Sequence, residues 1–517
     1  MTLTTPAPSA FATAQIPRYE DARPEIFVPR HEISPALLAA EADTLGWDAV
    51  NAIRLPQVNE AMVASGASPR TFDTTIQPGW SLNGTFGAWQ LTRGGSGAIV
   101  FLRAPIPTAH MTFAGTPDLD LTDARATVAI KLQYLPQPPA GSATQLTTGD
   151  EDWTEEFLAS DTTARSEDDP AVVIQSVTYG TGTPPTELQK ALFQAALADW
   201  FNDNLDAFTY VFSVVNLNSR AAKEEFQWLK PTYTSYAYFN GATDEESYFG
   251  ILNLTLGGSP DGLSNQLPPS AIPSGCQGSI LVSNNLFLRE MIMPGLTKTF
   301  SKATESDFVL NSLGTVIESV NTITLDDVKI GLIDYTPEMQ TFRLQIVGDE
   351  IQIDTLTKVS VSPGIVAFVT DTEFYRIVLV DKPDGTQTLD FTESRPAKRN
   401  HWMETATWVT VTEAIVALVG SIAAAVAGKV ITTAAMRIIA VIIIIVVAGI
   451  LAAIPAIIAA VMDGQAADAL PSIGDLVMEA SSDVEWPGST GFRLKSAQLN
   501  GSFQLGGDLE AVLPAGS

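Results

Sequence analysis

Residues 412–462 read TEAIVALVGSIAAAVAGKVITTAAMRIIAVIIIIVVAGILAAIPAIIAAVM. Between Glu413 and Asp463 only Lys429 and Arg437 carry charge, and from Ile438 to Met462 no side chain is charged or strongly polar. A bilayer span needs about 20 such residues. A helix that is apolar on every side has to be buried, in lipid or in a protein core, so what surrounds this stretch decides the fold. A resting span should carry anchors at both ends. Arg437 could serve at one, but Asp463, Asp468, Asp475 and Glu479 follow the other, and no basic residue comes before Arg493. Those acids suit anionic headgroups poorly. The stretch is therefore expected to be a buried helix of a soluble domain, with a sheet curled around it. Membrane insertion through 438–462, or a switch between the two states, is the alternative.

Sheet material is abundant on both sides of it. Phe342, Leu344 and Ile346 alternate with polar residues up to Gly348-Asp349, and Ile351 and Ile353 alternate beyond. Alternation about a glycine turn marks a half-buried hairpin. Phe374–Val380, the turn Lys382-Pro383-Asp384-Gly385 and Thr388–Phe391 form a second hairpin. Val328, Ile330 and Leu332 continue the pattern. Ile99–Arg103, Ala126–Tyr134, Val172–Tyr179 and Thr209–Val215 also read as strands, and one-sided antiparallel sheets are expected. The acidic pairs and triplets around 150–169, Glu155-Glu156 among them, read as solvated loop.

Three further helices interrupt the strands. One follows Pro56 and ends by Gly66. One spans 186–205, with Leu188, Leu192, Phe193, Ala196, Leu197, Trp200 and Phe201 on one face. One starts at the cap Ser283 and ends at Pro294. The order short helix, strands, long helix thus occurs twice, which suggests two similar domains. The expected division is an arm at 1–44 with a short helix at Ser34–Glu41, a first domain at 45–245 and a second at 246–517 containing helix 412–462.

Composition narrows the function. The chain has 517 residues, 58 acids, 29 bases and a net charge of −29, which opposes contact with nucleic acid. The single cysteine, Cys276, excludes an intrachain disulfide and reads as an inert small residue. The three histidines, His31, His110 and His401, have no paired metal-ligand spacing. No nucleophile elbow or phosphate loop occurs. No catalytic residue, metal or cofactor is therefore assigned, and a non-enzymatic role is expected. The first 20 residues lack a secretory pattern, which implies the cytoplasm of a producing bacterium or release without a signal peptide.

Three stretches carry a family resemblance. They are Trp47-Asp48-Ala49-Val50-Asn51-Ala52-Ile53 with Val58-Asn59-Glu60-Ala61; Ser283-Asn284-Asn285-Leu286-Phe287-Leu288 with Met293-Pro294-Gly295-Leu296; and Trp486-Pro487, Gly491-Phe492 and Ala497-Gln498-Leu499-Asn500-Gly501-Ser502-Phe503-Gln504-Leu505-Gly506-Gly507. In this order they resemble the clostridial forty-seven-kilodalton proteins, which are encoded with the Orf-X proteins beside botulinum-type neurotoxins. The resemblance implies the tubular lipid-binding (TULIP) fold: α+β, two tandem domains, each a highly curved antiparallel sheet wrapped around a long helix. It also implies an accessory protein of a toxin gene cluster, with lipid or fatty acid, a toxin-cluster protein and a membrane as partners.

On this reading an apolar groove shelters acyl chains, each buried methylene contributing about 0.8 kcal/mol. Val58 and Met62 on the first helix, and Phe193, Leu197 and Phe201 on the second, are the candidate lining residues. The same residues would equally serve as plain core. A structural or interaction protein that binds a toxin partner without lipid, and a membrane-inserting effector using 438–462, are the competing functions.

Overall fold

The computed structural model describes residues 11–12, 41–115, 117–142, 154–163, 165–166, 169–180, 184–217, 224–448, 472–474, 476–477, 480 and 484–511. The expected helix at Ser34–Glu41 lies almost wholly outside these residues, as do positions 449–462 of the apolar stretch. The chain forms two compact units. One comprises Asp43–Leu281, Val477–Lys495 and Leu505–Ser517; the other comprises Met1–Ala42, Val282–Leu476 and Ser496–Gln504. The expected break at 245/246 is thus displaced, and the C-terminus serves both units. Strand pairing is the reason. Tyr248–Thr255 pairs along Ala49–Arg54, and the Gln277 amide donates to the Gly507 carbonyl at 2.9 Å.

In the N-terminal unit the first helix is Leu55–Ser65, with Pro56 in its first turn. It stops at Gly66, whose φ of 63° places it in the left-handed region that glycine enters without strain. The second helix, Glu187–Asp203, opens on a capping box: the Thr186 hydroxyl accepts from the Gln189 amide, and the Gln189 side chain accepts from the Thr186 amide. An antiparallel sheet runs in the order Val172–Thr178, Leu119–Ile130, Val100–Phe113, Trp80–Thr85, Thr71–Gln77. The second helix packs on both end strands of that order. Asn202 bonds to Val172 at one end, and Trp200 meets Phe72, centroids 6.1 Å apart, at the other. Five strands laid flat at about 4.8 Å spacing would separate their ends by about 19 Å. A helix about 10–12 Å across can touch both only if the sheet curls around it. Val100, Leu102, Ala104 and Ile106 supply its inner face, each buried.

Glu155-Glu156 corrects the loop reading. The pair lies in the strand Thr154–Ser160 and pairs with Val211–Leu217, which buries Glu155.

The other unit is built on a nine-stranded sheet whose main order is Phe11–Ala12, Lys398–Ala406, Ile365–Asp381, Glu350–Ser362, Pro337–Val347, Val316–Ser319, Phe308–Leu310. Both expected hairpins are present, turning at Gly348 (φ 62°) and Gly385 (φ 84°). Val328–Ile330 does not continue the pattern to Leu332. It turns back on Ile333–Tyr335 and leaves Leu332 95% exposed. The helix that starts at Ser283 runs past Pro294 to Thr299, as Asn284–Leu286, the π-helical Phe287–Ile292 and Met293–Thr299. The wider π turn ends just before Pro294, which therefore occupies a first-turn position where its missing N–H costs nothing.

The apolar stretch is helical over Glu413–Ala425, Val426–Ile431 and Thr432–Ala448, the middle segment again a π turn. Val419, Ile422, Ala423, Val426, Ala427 and Ile431 pack on Ile365, Ala367 and Val369 of the sheet and on Val328 and Tyr335 of the hairpin. Enclosure is only partial. Of the most apolar window within Glu413–Ile439, 35% is buried, and Ala414, Ala417, Ser421 and Ala424 lie along an exposed stripe. Burial is complete again at Ile438, Ile439 and Ile442.

Candidate functional site

The five residues expected to line a groove are brought together, but in the core. Val58, Met62, Phe193, Leu197 and Phe201 are each at most 3% exposed and belong to one apolar cluster. They face the sheet and one another. Phe201 stacks against Phe86 at 5.7 Å and meets Trp89 edge-on at 5.5 Å. None lies in the walls of the four described clefts.

The most apolar cleft lies on the neighbouring face of the first helix. Its volume is about 370 Å³, and its walls are Ala61, Ala64 and Ser65; Tyr210, Val211 and Val214; and Trp486, Pro487 and Gly488. This volume falls at the lower end of the range of ligand pockets. Helix periodicity explains the first wall. Val58 and Met62 point into the core, so Ala61 and Ala64 turn toward the cleft, and their small side chains leave room. The second wall is the start of the strand Val211–Leu217, to which Val484–Glu485 pairs. That pairing delivers the third wall. Gly488 has a φ of 80°, and a Cβ there would stand 3.4 Å from that of Ala61. Trp486 rests on the rim of the core, 6.3 Å from Phe249.

Two titratable groups, Tyr210 and Glu485, sit in these mostly apolar walls beside the hydroxyls of Ser65, Thr209 and Ser489. The Tyr210 hydroxyl donates to the Val58 carbonyl at 3.4 Å, and burial drives its phenol above the ordinary range. Glu485 accepts from the Asn216 amide at 3.4 Å. Burial, reinforced by the charge of Glu155, raises its carboxyl above the usual value despite that bond. The site can therefore hold an apolar chain beside a carboxyl group that retains its proton more readily than a solvated one.

The other clefts are more polar. One of about 240 Å³ beside the apolar helix has Phe300, Val328, Val430 and Ala434 with Asp326, Asp327 and Arg437. One of about 610 Å³ is lined by Glu41, Asp349, Glu350, Arg376 and Arg395. One of about 480 Å³ has Asn59, Glu60, Arg103 and Asp244. Cys276 is buried, and burial pushes its thiol up, which suits packing rather than reaction. Among the described residues no group of His, Cys, Asp and Glu could hold a metal ion.

The sequence reading missed Tyr210, Val211 and Val214, whose strand pattern resembles any other. Ala61 and Trp486 stood within quoted motifs, and those motifs were the available signal.

Comparison with known proteins follows the same lines. Protein OrfX3 of Paraclostridium bifermentans is 26% identical over 502 residues, covering 91% of this chain and 99% of that protein. Protein OrfX3 of Clostridium botulinum (strain Kyoto / Type A2) is 26% identical over 506 residues, with the same coverage. The solved structure of P47 from Clostridium botulinum A2 superposes with a TM-score of 0.60 at 16% identity, covering 91% of this chain and 99% of that one. The β-rich fold with few helices is thus shared with P47. Residues 44–507 match the family model described as OrfX-like, Protein OrfX2/OrfX3/P47, and the chain belongs to that family.

Proposed function

We propose that this protein is a non-enzymatic lipid carrier of the tubular type, acting as an accessory protein of a toxin gene cluster. Each unit is read as a TULIP-like domain, a curved sheet around a long helix. The observation that carries the reading is the cleft between Leu55–Ser65, Val211–Leu217 and Trp486-Pro487-Gly488. Its walls are mostly apolar, small at the helix and aromatic at the rim, and they suit one acyl chain. The half-buried carboxyl of Glu485, raised by burial, would meet a polar headgroup or a fatty-acid carboxyl. The five core residues Val58, Met62, Phe193, Leu197 and Phe201 would then set the position of the walls rather than touch lipid.

The test is native mass spectrometry with solvent extraction of protein purified without detergent. Co-purifying fatty acid or phospholipid is expected, and Ala61→Trp, which fills the cleft, should abolish it. Lipid-free wild-type protein that also fails to take up a fluorescent fatty acid would overturn the reading.

A second reading has its own observation. Trp408, Val411 and Val416 are 67%, 38% and 52% exposed close together along the chain, at the start of the apolar helix. Such apolar exposure suits contact with a toxin-cluster protein or a membrane. Pull-down of the co-encoded proteins by wild type, lost in Trp408→Ser, would favour it.

A further inference from the structure

The apolar helix is tied to its sheet by a small acidic cluster at the π turn Val426–Ile431. A π turn breaks the regular backbone ladder and recurs where a helix serves a function. Thr432 follows it. Its hydroxyl accepts from Arg399 Nη2 at 2.7 Å. Its one proton can go to the Ala427 carbonyl at 3.0 Å or to Glu373 Oε1 at 2.8 Å. Arg399 also donates to Asp371 Oδ2 at 3.0 Å and to Glu373 Oε1 at 2.7 Å. Tyr375 donates to Glu373 Oε2 at 3.3 Å.

Asp371 and Glu373 are two apart on one strand and share its helix-facing side with Ile365, Ala367 and Val369. Each is 1% exposed. Among the described residues the groups around them are few. The strand Lys398–Ala406 contributes Arg399 opposite Asp371, and His401 two residues on. The strand Gln387–Glu393 contributes Glu393, opposite Tyr375. The strand Glu350–Ser362 contributes only hydroxyls to this face, Thr355 opposite Asp371 and Thr357 beyond it. Its Asp354 belongs to the other face, bonded to Thr372 and Gln352. From the helix comes Thr432; Arg437, further along, pairs with Asp326 at 3.6 Å. Two buried carboxylates thus meet one guanidinium, whose side chain is itself 42% exposed.

We propose that this cluster is a proton-dependent latch: Asp371, buried beside Glu373, keeps its proton while the helix is seated, and loss of that proton loosens the helix and bares its apolar face. Two like charges buried side by side cannot both ionise cheaply against a single partner. Burial, and then the charge of Glu373, push the Asp371 carboxyl up to about 7, against the pull of Arg399. Lifting the helix would return both acids to water and the Asp371 carboxyl toward its ordinary value. A carboxyl whose value is raised in the seated state stabilises that state fully below about 4, and the contribution is lost as pH rises through about 7. Acid therefore holds the helix down, and neutral to alkaline pH loosens it. The segment so released, Glu413–Ile439, is long and apolar enough to cross a membrane by length and composition. The latch does not rest on the lipid-carrier reading.

The test is hydrogen exchange with mass spectrometry on the full chain at pH 5 and pH 8, corrected for intrinsic exchange. Opening of peptides over 426–442 should rise at least about tenfold at pH 8, while helix 187–203 of the other unit keeps its protection. Asp371→Asn should remove most of that pH dependence, and Thr432→Val should raise opening at both pH values. If Asp371→Asn does not fold, Glu373→Gln carries the same expectation. Equal protection of the wild type at both pH values would overturn the latch. So would full pH dependence in the carboxamide variant, or simultaneous loss of protection in 187–203.

Discussion

The Asn202 side chain and the Val172 backbone exchange two hydrogen bonds. Asn202 Nδ2 donates to the Val172 carbonyl at 2.8 Å, and its Oδ1 accepts from the Val172 amide at 3.1 Å. A helix side chain thus completes an end strand of the curved sheet, and the strand's backbone groups are satisfied where, among the described residues, no further strand follows. Asn202→Ala leaves both groups without their partner, and a loss of about 1–3 kcal/mol is expected. Urea denaturation followed by Trp fluorescence measures it, and an unchanged midpoint would mean that water replaces the amide at no cost.

The opposite end of the same sheet depends on Gly84. A Cβ there would stand 2.4 Å from Phe72 Cζ and 2.4 Å from the Thr108 carbonyl. Phe72 packs under the second helix, so glycine lets the strand close over that ring. Gly84→Ala should destabilise by about 1–3 kcal/mol through overpacking. A thermal melt equal to wild type would contradict this.

Asp354 should tie stability of its unit to pH. Burial raises its carboxyl to about 6, against hydrogen bonds from Thr372 and Gln352, each 2.8 Å long. Because the folded value is raised, its contribution is complete below about 4 and is lost as pH rises through about 6. Asp354→Asn should therefore flatten the decline in stability between pH 4 and pH 7. Denaturation midpoints across that range, wild type against variant, are the measurement. A stability that climbs with pH in the wild type and is unaltered by the substitution would refute the assignment.

Ile439 is fully buried within the apolar helix. Ile439→Asp places an unpaired charge there, at a cost of more than about 3 kcal/mol. Loss of near-ultraviolet circular dichroism is expected, and the wild type should stay monodisperse without detergent. Were the variant to fold normally and lose only liposome flotation, the helix would be a membrane element at rest.

Much of the secondary structure was legible because its causes are local. The 186–205 helix followed from the spacing of Phe193, Leu197 and Trp200, and the structure ends it at Asp203. The turns at Gly348 and Gly385 followed from glycine between alternating runs. The family resemblance was equally local, carried by short motifs in order. Pro294 misled because its effect depends on the π turn before it, which no residue pattern announces.

The sequence alone determined which segments are apolar, where they turn and that the strands outnumber the helices, since these depend on neighbours a few residues apart. Only tertiary structure decided which apolar residues become core and which line a cleft. Val58 and Ala61 stand three residues apart on one helix, yet the first is sealed in the core and the second faces Trp486, more than 400 positions away. It also decided the fate of Asp371 and Glu373. Along the chain they look like the solvated side of a strand, and they are buried because a distant helix settles on them through Thr432. Burial and charge pairing are sums over neighbours in space, and the chain brings those neighbours together only when the sheet has folded.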